Sequence, residues 1–401
     1  MDIIEEAKAI FEEKDFFSDG QKIAYAIDHF GLSIEELQKM SDKSELAPTS
    51  IVEMLIAQEE REGSADKAVD FFRNYSEEIA ADNIRNTYEE YMSGSNEGYY
   101  QAFNDYIEDS KNIAYVKTGF QQLDKILEGG LHEGLYVVGA IPSLGKTTWV
   151  TQISDNMAFY GNDVLFFSLE MSRFDLMARS ISRLTARRYK DLGEHQYSDF
   201  KTARGIIDGK RYEGYSEREQ KVIAFAKNAY ANFAKRIRVI EGSGDVGIKD
   251  IREAVETHLR ITHRTPAVVI DYLQLIAPFD PKLSDKQNMD KATLELKRIA
   301  RDFKTPVLAI SSFNRSNYNT KVSFGSFKES GAIEYCADVV IGLQLEGVGE
   351  ADFDVDVAKQ QSPRHVEALI LKNRFGKTGE TIKYDYFPAH NYFREEPKKF
   401  E

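Results

Sequence analysis

The stretch GAIPSLGKTTW, residues 139–149, carries residue types that hold phosphate groups. In the pattern G-x-x-x-x-G-K-[ST], backbone N–H groups and the start of the next helix cradle the oxygens. The lysine reaches the outer phosphates and the following hydroxyl holds Mg²⁺. Lys146 and Thr147 would take those roles here, and Gly145 would let the backbone come close. Ala140, Pro142, Ser143, Leu144 and Thr148 would complete the lining. One position departs from the pattern. Counting back from Gly145, the first glycine falls on Ala140, and the glycine stands one residue earlier, at Gly139. A small side chain serves there if φ stays negative. The alternative is a chance G-K-T in a turn. LYVVGAI before the loop reads as a strand and TTWVTQISDNMAFYG after it as a helix, which is the context phosphate binding requires.

Other residues fit around such a loop. VVIDYLQ ends an apolar run on Asp271, which either positions Mg²⁺ or caps the next element. VLFFSLEMS places Glu170 where a carboxylate would lie beside the loop at the carboxyl end of a parallel sheet. It either activates a water or answers the dipole of the next helix. LILKNRFGKTG puts Lys372 and Arg374 on one face by the period of two. They suit a γ-phosphate contact across a subunit boundary, or simply a basic edge strand. The segment 313–332 interleaves Arg315, Lys321 and Lys328 with Tyr318, Phe324 and Phe327, a texture found in single-strand grooves and also in solvated loops. His258 and His263 are five apart, a poor helical metal pair, and read as surface or structural residues.

The elements that must carry these residues fall into two textures. After residue 116, short uncharged runs recur: LYVVGAI (135–141), VLFFSLE (164–170), AVVIDYLQLI (267–276), PVLAISSF (306–313), ADVVIGLQL (337–345) and EALILKNR (367–374). Helical segments separate most of them, which predicts an α/β fold with a buried, mainly parallel sheet. Before it, apolar residues recur at helical spacing and Ser33-Ile34-Glu35-Glu36 starts a capping box. The expected division is a helical domain over 1–93, a connector helix over 94–115 and the α/β domain over 116–401.

Bulk composition agrees with that division. The chain has 401 residues, 42% hydrophobic and 29% charged, with a net charge of −14. Residues 1–115 hold 10 Lys and Arg against 27 Asp and Glu, net −17, and the rest is net +3. The acidity therefore does not count against an anionic partner for the α/β part. No run approaches the ~18 apolar residues of a membrane span. A single cysteine, Cys336, excludes an intrachain disulfide framework. The acidic MDIIEEAKAIFEEKDFF does not resemble a secretory signal, and the expected location is the cytoplasm.

Taken together, the motifs resemble the DnaB-type hexameric replicative helicases, with a RecA-like ATPase core. The likeness runs through TGFQQLDKIL, AIPSLGKTT, VLFFSLEM, VVIDYLQLI, LKRIARDFKTPVLAISSFNR, FKESGAIEYCADVVI and LILKNRFGKTG, over about 116–395. In that family the loop normally begins with alanine. The resemblance implies an ATP- and Mg²⁺-dependent enzyme, a homo-hexameric ring moving 5′ to 3′ on single-stranded DNA. It implies Lys146 and Thr147 on the phosphates and Mg²⁺, Asp271 as the Mg²⁺-site acid and Glu170 as catalytic base. Lys372 and Arg374 would reach the neighbouring subunit's site. Lys328, Glu329, Ser330 and Gly331 would contact DNA, where the family usually has arginine at position 328. The family's N-terminal helical domain forms a collar and binds primase, which makes a primase or loader the expected partner of this one. One departure stands out. Ser312 occupies the position of a glutamine γ-phosphate sensor, a longer side chain, and Asn314 is the candidate substitute. The divergence suggests a phage or mobile element. Two other readings stay open: a RadA- or KaiC-like ATPase that does not unwind, and an ATP-binding factor that docks on a host helicase.

Overall fold

All six apolar runs form strands in the computed structural model, which describes residues 19–44, 46–75, 89, 92, 96–110, 115–189, 200–242, 244–314, 318–328 and 330–396. They are β1 (Gly134–Ala140), β2 (Val164–Ser168), β4 (Ala267–Asp271), β5 (Pro306–Ser312), β6 (Val339–Leu345) and β7 (Arg364–Asn373). Three further strands were not read from the sequence: β3 (Ile237–Glu241), β8 (Thr381–Phe387) and β9 (Tyr392–Glu395). The sheet runs β3-β2-β4-β5-β1-β6-β7-β8-β9. The strands from β3 to β6 are parallel, and β7, β8 and β9 continue the sheet antiparallel.

Every residue of β1 is buried, as a central parallel strand covered on both faces must be. Full burial of side chains such as Leu135 and Val138 is worth roughly 1.5–3 kcal/mol each. The connecting helices supply the cover. Following β1 comes the helix Lys146–Phe159, whose Trp149 stacks on Phe120 at 5.7 Å and meets Tyr384 edge-on. Asp285–Asp302 leads into β5 and is opened by a capping box from Ser284 to Gln287. The late strands lock on through the helix after β1: Gln152 donates to the Phe393 carbonyl at 2.8 Å and accepts the Phe393 N–H at 2.9 Å.

The chain divides into two compact units, Met1–Ile113 and Ala114–Glu401. The described residues of the first are helical, with Asp19–Phe30, Ile34–Ser44 and Pro48–Glu62 around a core that includes Ala26, Leu37, Ile51, Leu55 and Phe72. Ser33 and Glu36 close the predicted capping box, with the Glu36 N–H donating to Ser33 Oγ at 3.1 Å and the Ser33 N–H donating to Glu36 at 2.9 Å. The stretch read as a connector contains the helix Asn96–Ser110.

Candidate nucleotide and nucleic-acid site

The loop 140–147 sits at the carboxyl end of β1, where the strand stops at Ile141-Pro142. Gly145 heads the following helix with φ of 97°. A Cβ there would also come within 2.9 Å of the stacked Tyr386 and Phe393 rings. Gly139 has a different reason: a Cβ would meet Phe313 at 2.2 Å and Phe327 at 2.4 Å. The displaced glycine therefore belongs to packing beneath the loop, and Ala140 starts the loop itself. Pro142 and Ser143 are exposed, while Leu144 and Thr148 are buried and anchor it.

Lys146 folds back over the loop, donating to the Ala140 carbonyl at 2.9 Å and to Ser312 Oγ at 3.3 Å. Burial lowers its pKa, and the Asp271 and Glu170 carboxylates oppose that. The sheet order explains the meeting. β5 lies between β1 and β4, Ala140 is in register with Ser312, and Ser168 with Asp271. Asp271 is 1% exposed. Burial pushes its pKa up to about 6, against the Thr147 hydroxyl, which hydrogen-bonds it, and with Glu170, which raises it further. Its Oδ2 is buried with no hydrogen-bond partner among the described residues. An orphaned carboxylate oxygen beside a threonine hydroxyl fits a hard divalent cation, and Thr147 and Asp271 are residues that could hold Mg²⁺. Glu170 stands two residues beyond β2, exposed at the mouth, while the Leu169 N–H donates to the Asp271 carbonyl at 2.8 Å.

Two residues at this site escaped the sequence reading. Gln274 donates to Ser311 Oγ at 3.0 Å and faces the Ser312 N–H at 3.4 Å, bracing the end of β5. Arg364 donates to the Ser143 carbonyl at 2.8 Å. Gln274 lies inside the quoted VVIDYLQ, so position after a strand-end acid was an available signal. Arg364 is 221 residues from Ser143, and no spacing rule reaches that far.

The basic loop attaches to the same strand end. The Lys328 N–H donates to the Ser312 carbonyl at 3.1 Å. Asn314 faces this loop: its amide donates to the Phe327 carbonyl at 3.2 Å and its N–H to the Ser326 carbonyl at 2.8 Å. Lys321 and Lys328 are exposed, and Gly331 lies in the helix Ser330–Cys336. The aromatic residues point the other way. Phe327 is 1% exposed, and Tyr318 and Phe324 pack on the core, so this interleaving builds the interior and offers cations outward. Arg315 and Glu329 lie outside the described residues, as does the side chain of Ser330.

Lys372 and Arg374 are not brought to the loop of their own chain. Lys372 pairs with Val340, and the Arg374 N–H donates to the Asp338 carbonyl, just before β6 begins. Asp338 in turn meets Leu135 at the start of β1, so the length of β1, about 20 Å, separates the pair from the loop. Lys372 Nζ donates to the carbonyls of Glu334 and Tyr335. As for the histidines, His258 sits 3.4 Å from Asp163 and His263 ends a helix with φ of 54°.

Residues 115–395 match the family described as DnaB-like helicase C terminal domain. The chain is 27% identical over 296 residues to the replicative DNA helicase DnaB of Geobacillus stearothermophilus, covering 72% of this chain and 58% of that protein. It is 29% identical over 283 residues to a probable replicative DNA helicase of Trieres chinensis, covering 68% and 56%. It thus spans a little over half the length of these curated relatives. Two solved structures share the fold. One, described as an ATPase domain, gives a TM-score of 0.62 at 23% identity, covering 75% of this chain and 98% of that one. The other, a DnaB-like replicative helicase described with its interactions with primase, gives 0.61 at 18% identity, covering 94% and 98%. This chain belongs to the DnaB-like helicase family through its α/β unit, and that unit has the RecA-like helicase fold.

Proposed function

We propose that the chain is the subunit of an ATP-dependent replicative DNA helicase, a hexameric ring that moves 5′ to 3′ along single-stranded DNA and opens the duplex at the fork. The observation that carries this reading is the Ser312–Lys328 main-chain hydrogen bond, which joins the phosphate end of β5 to the exposed basic loop. Lys146 steadies the phosphate oxygens, and Glu170 takes the proton of the attacking water. Thr147 and Asp271 would hold Mg²⁺, which when bound would supply positive charge against the phosphates. Lys372 and Arg374 complete the site of the neighbouring subunit, since about 20 Å is beyond their reach to their own. Arg315, Lys321 and Lys328 neutralise DNA phosphates, and the loop of Lys328, Glu329, Ser330 and Gly331 contacts the DNA backbone. Ser312 reads the phosphate end by its short hydroxyl, and Asn314 fastens the DNA loop. The acidic helical unit docks a primase or a loader, and the ring works in the cytoplasm. No described helix is long and apolar enough to cross a membrane.

ATP turnover titrated with single-stranded DNA at fixed salt, run beside strand displacement from a 5′-tailed fork, tests the reading. A severalfold rise in turnover with 5′-dependent displacement supports it. Turnover indifferent to DNA with no displacement sinks it and leaves an ATPase of this fold that does not unwind.

A further inference from the structure

Three donors from different elements converge on the carboxylate of Asp338, whose side chain is 4% exposed. Lys297 Nζ, from the helix Asp285–Asp302, lies 2.7 Å from one oxygen and 2.5 Å from the other. The Leu135 N–H donates at 2.7 Å. Arg374 reaches the same carboxylate at 3.3 Å, and its second terminal nitrogen reaches the Tyr335 carbonyl at 3.4 Å. The two arginine contacts are the long ones, beyond the usual range of about 2.7–3.2 Å. The guanidinium is half exposed, although its main chain is fixed to Asp338 at 2.9 Å.

A buried carboxylate requires a compensating cation. Lys297 supplies it at shorter range, so little net attraction is left for the arginine. We propose that Lys297 is a positioning residue: by neutralising Asp338 it leaves the Arg374 guanidinium free to depart for the neighbouring subunit's phosphate site. The inference rests on the reading of Arg374 as acting across the subunit boundary, and it names what sets the availability of that arginine. Without Lys297, the buried carboxylate holds Arg374 on its own chain as the compensating charge.

The test compares the assembled full chain as wild type, K297M, D338N and K297M/D338N at saturating single-stranded DNA. K297M should lower kcat about tenfold with little change in KM for ATP, because fewer arginines are available rather than fewer nucleotides bound. K297M/D338N should recover most of that loss, since no carboxylate remains to hold the arginine. Normal turnover in K297M, or a double variant as poor as K297M, overturns the inference. D338N also touches the Leu135 N–H, so a second measurement stands apart from its folding. Labelling of Arg374 by an arginine-selective dicarbonyl, read by mass spectrometry, should slow about tenfold in K297M against wild type. Unchanged labelling overturns the inference. The parent reading is judged separately by R374A: failure of R374A subunits to inhibit mixed rings removes the boundary role itself, whereas inhibition by R374A with normal K297M removes only the role of Lys297.

Discussion

The Ser312 carbonyl accepts the Lys328 N–H at 3.1 Å, so the residue that ends β5 is bonded directly to the base of the exposed basic loop. The hydroxyl of the same serine receives Lys146 at 3.3 Å. One residue thus meets the phosphate loop through its side chain and the basic loop through its backbone.

That split separates two substitutions. Ser312→Ala deletes the hydroxyl and keeps the backbone bond. It should lower ATP turnover roughly fivefold, the worth of about one hydrogen bond, equally with and without DNA. Asn314→Ala leaves Lys146 untouched but frees the carbonyl of Phe327. It should reduce the ratio of DNA-stimulated to basal turnover. The same assay on both proteins checks this, and a Ser312→Ala chain that loses stimulation while Asn314→Ala keeps it would reverse the assignment.

Asp271 gives a pH prediction. Its folded pKa, about 6, lies above the ordinary 3.8. Between those values the folded chain binds a proton that the unfolded chain has released. The carboxyl therefore costs no stability below about pH 4, and its penalty grows as pH rises through 6, reaching at most about 3 kcal/mol. Asp271→Asn removes an unpaired buried charge. In metal-free protein it should raise the melting temperature at pH 7.5, with the gain fading toward pH 4. Calorimetry at both values decides it, and an equal gain at both would mean the charge is not the cause.

The loop and its flanking strand were legible because both signals are local: a buried run followed by G-K-T. Asp271 and Glu170 were legible because acids at the ends of parallel strands converge. Other features depend on register that no local pattern carries. β3 reads IRVIE, an edge strand with Arg238 and Glu241 exposed, too charged to resemble the buried runs. β8 alternates polar and apolar residues only over Thr381–Tyr384 and β9 is four residues long, and their place is fixed by Gln152 and Phe393, 241 residues apart. The aromatics of the basic loop show the same limit. A sequence shows that Phe327 lies near lysines, and only packing shows which side it faces.

Gly139 tests that packing. Alanine there would put Cβ within 2.4 Å of both Phe313 and Phe327, whose rings meet edge-on at 4.9 Å. Overpacking of this kind costs about 1–3 kcal/mol. Because Phe327 immediately precedes Lys328, the displacement should pass to the basic loop. Gly139→Ala should unfold at lower denaturant and bind single-stranded DNA more weakly. Loss of stability with unchanged DNA affinity would show that the aromatic pair does not set the loop.

Arg374 lies about the length of β1 from its own phosphate loop, so its removal should be felt by a neighbour. An arginine finger contributes about 10³–10⁵ in rate. Arg374→Ala chains alone should therefore show almost no turnover while still binding ATP. Mixed with wild type at constant total protein, they place a defective boundary beside a subunit whose own site is intact. If translocation needs successive sites to fire around a closed ring, activity must fall more steeply than the wild-type fraction. Half the subunits replaced should leave far less than half the DNA-stimulated rate. Subunit exchange has to be verified first, for example by energy transfer between labelled chains. A strictly proportional decline after full exchange would place the arginine's effect within its own subunit.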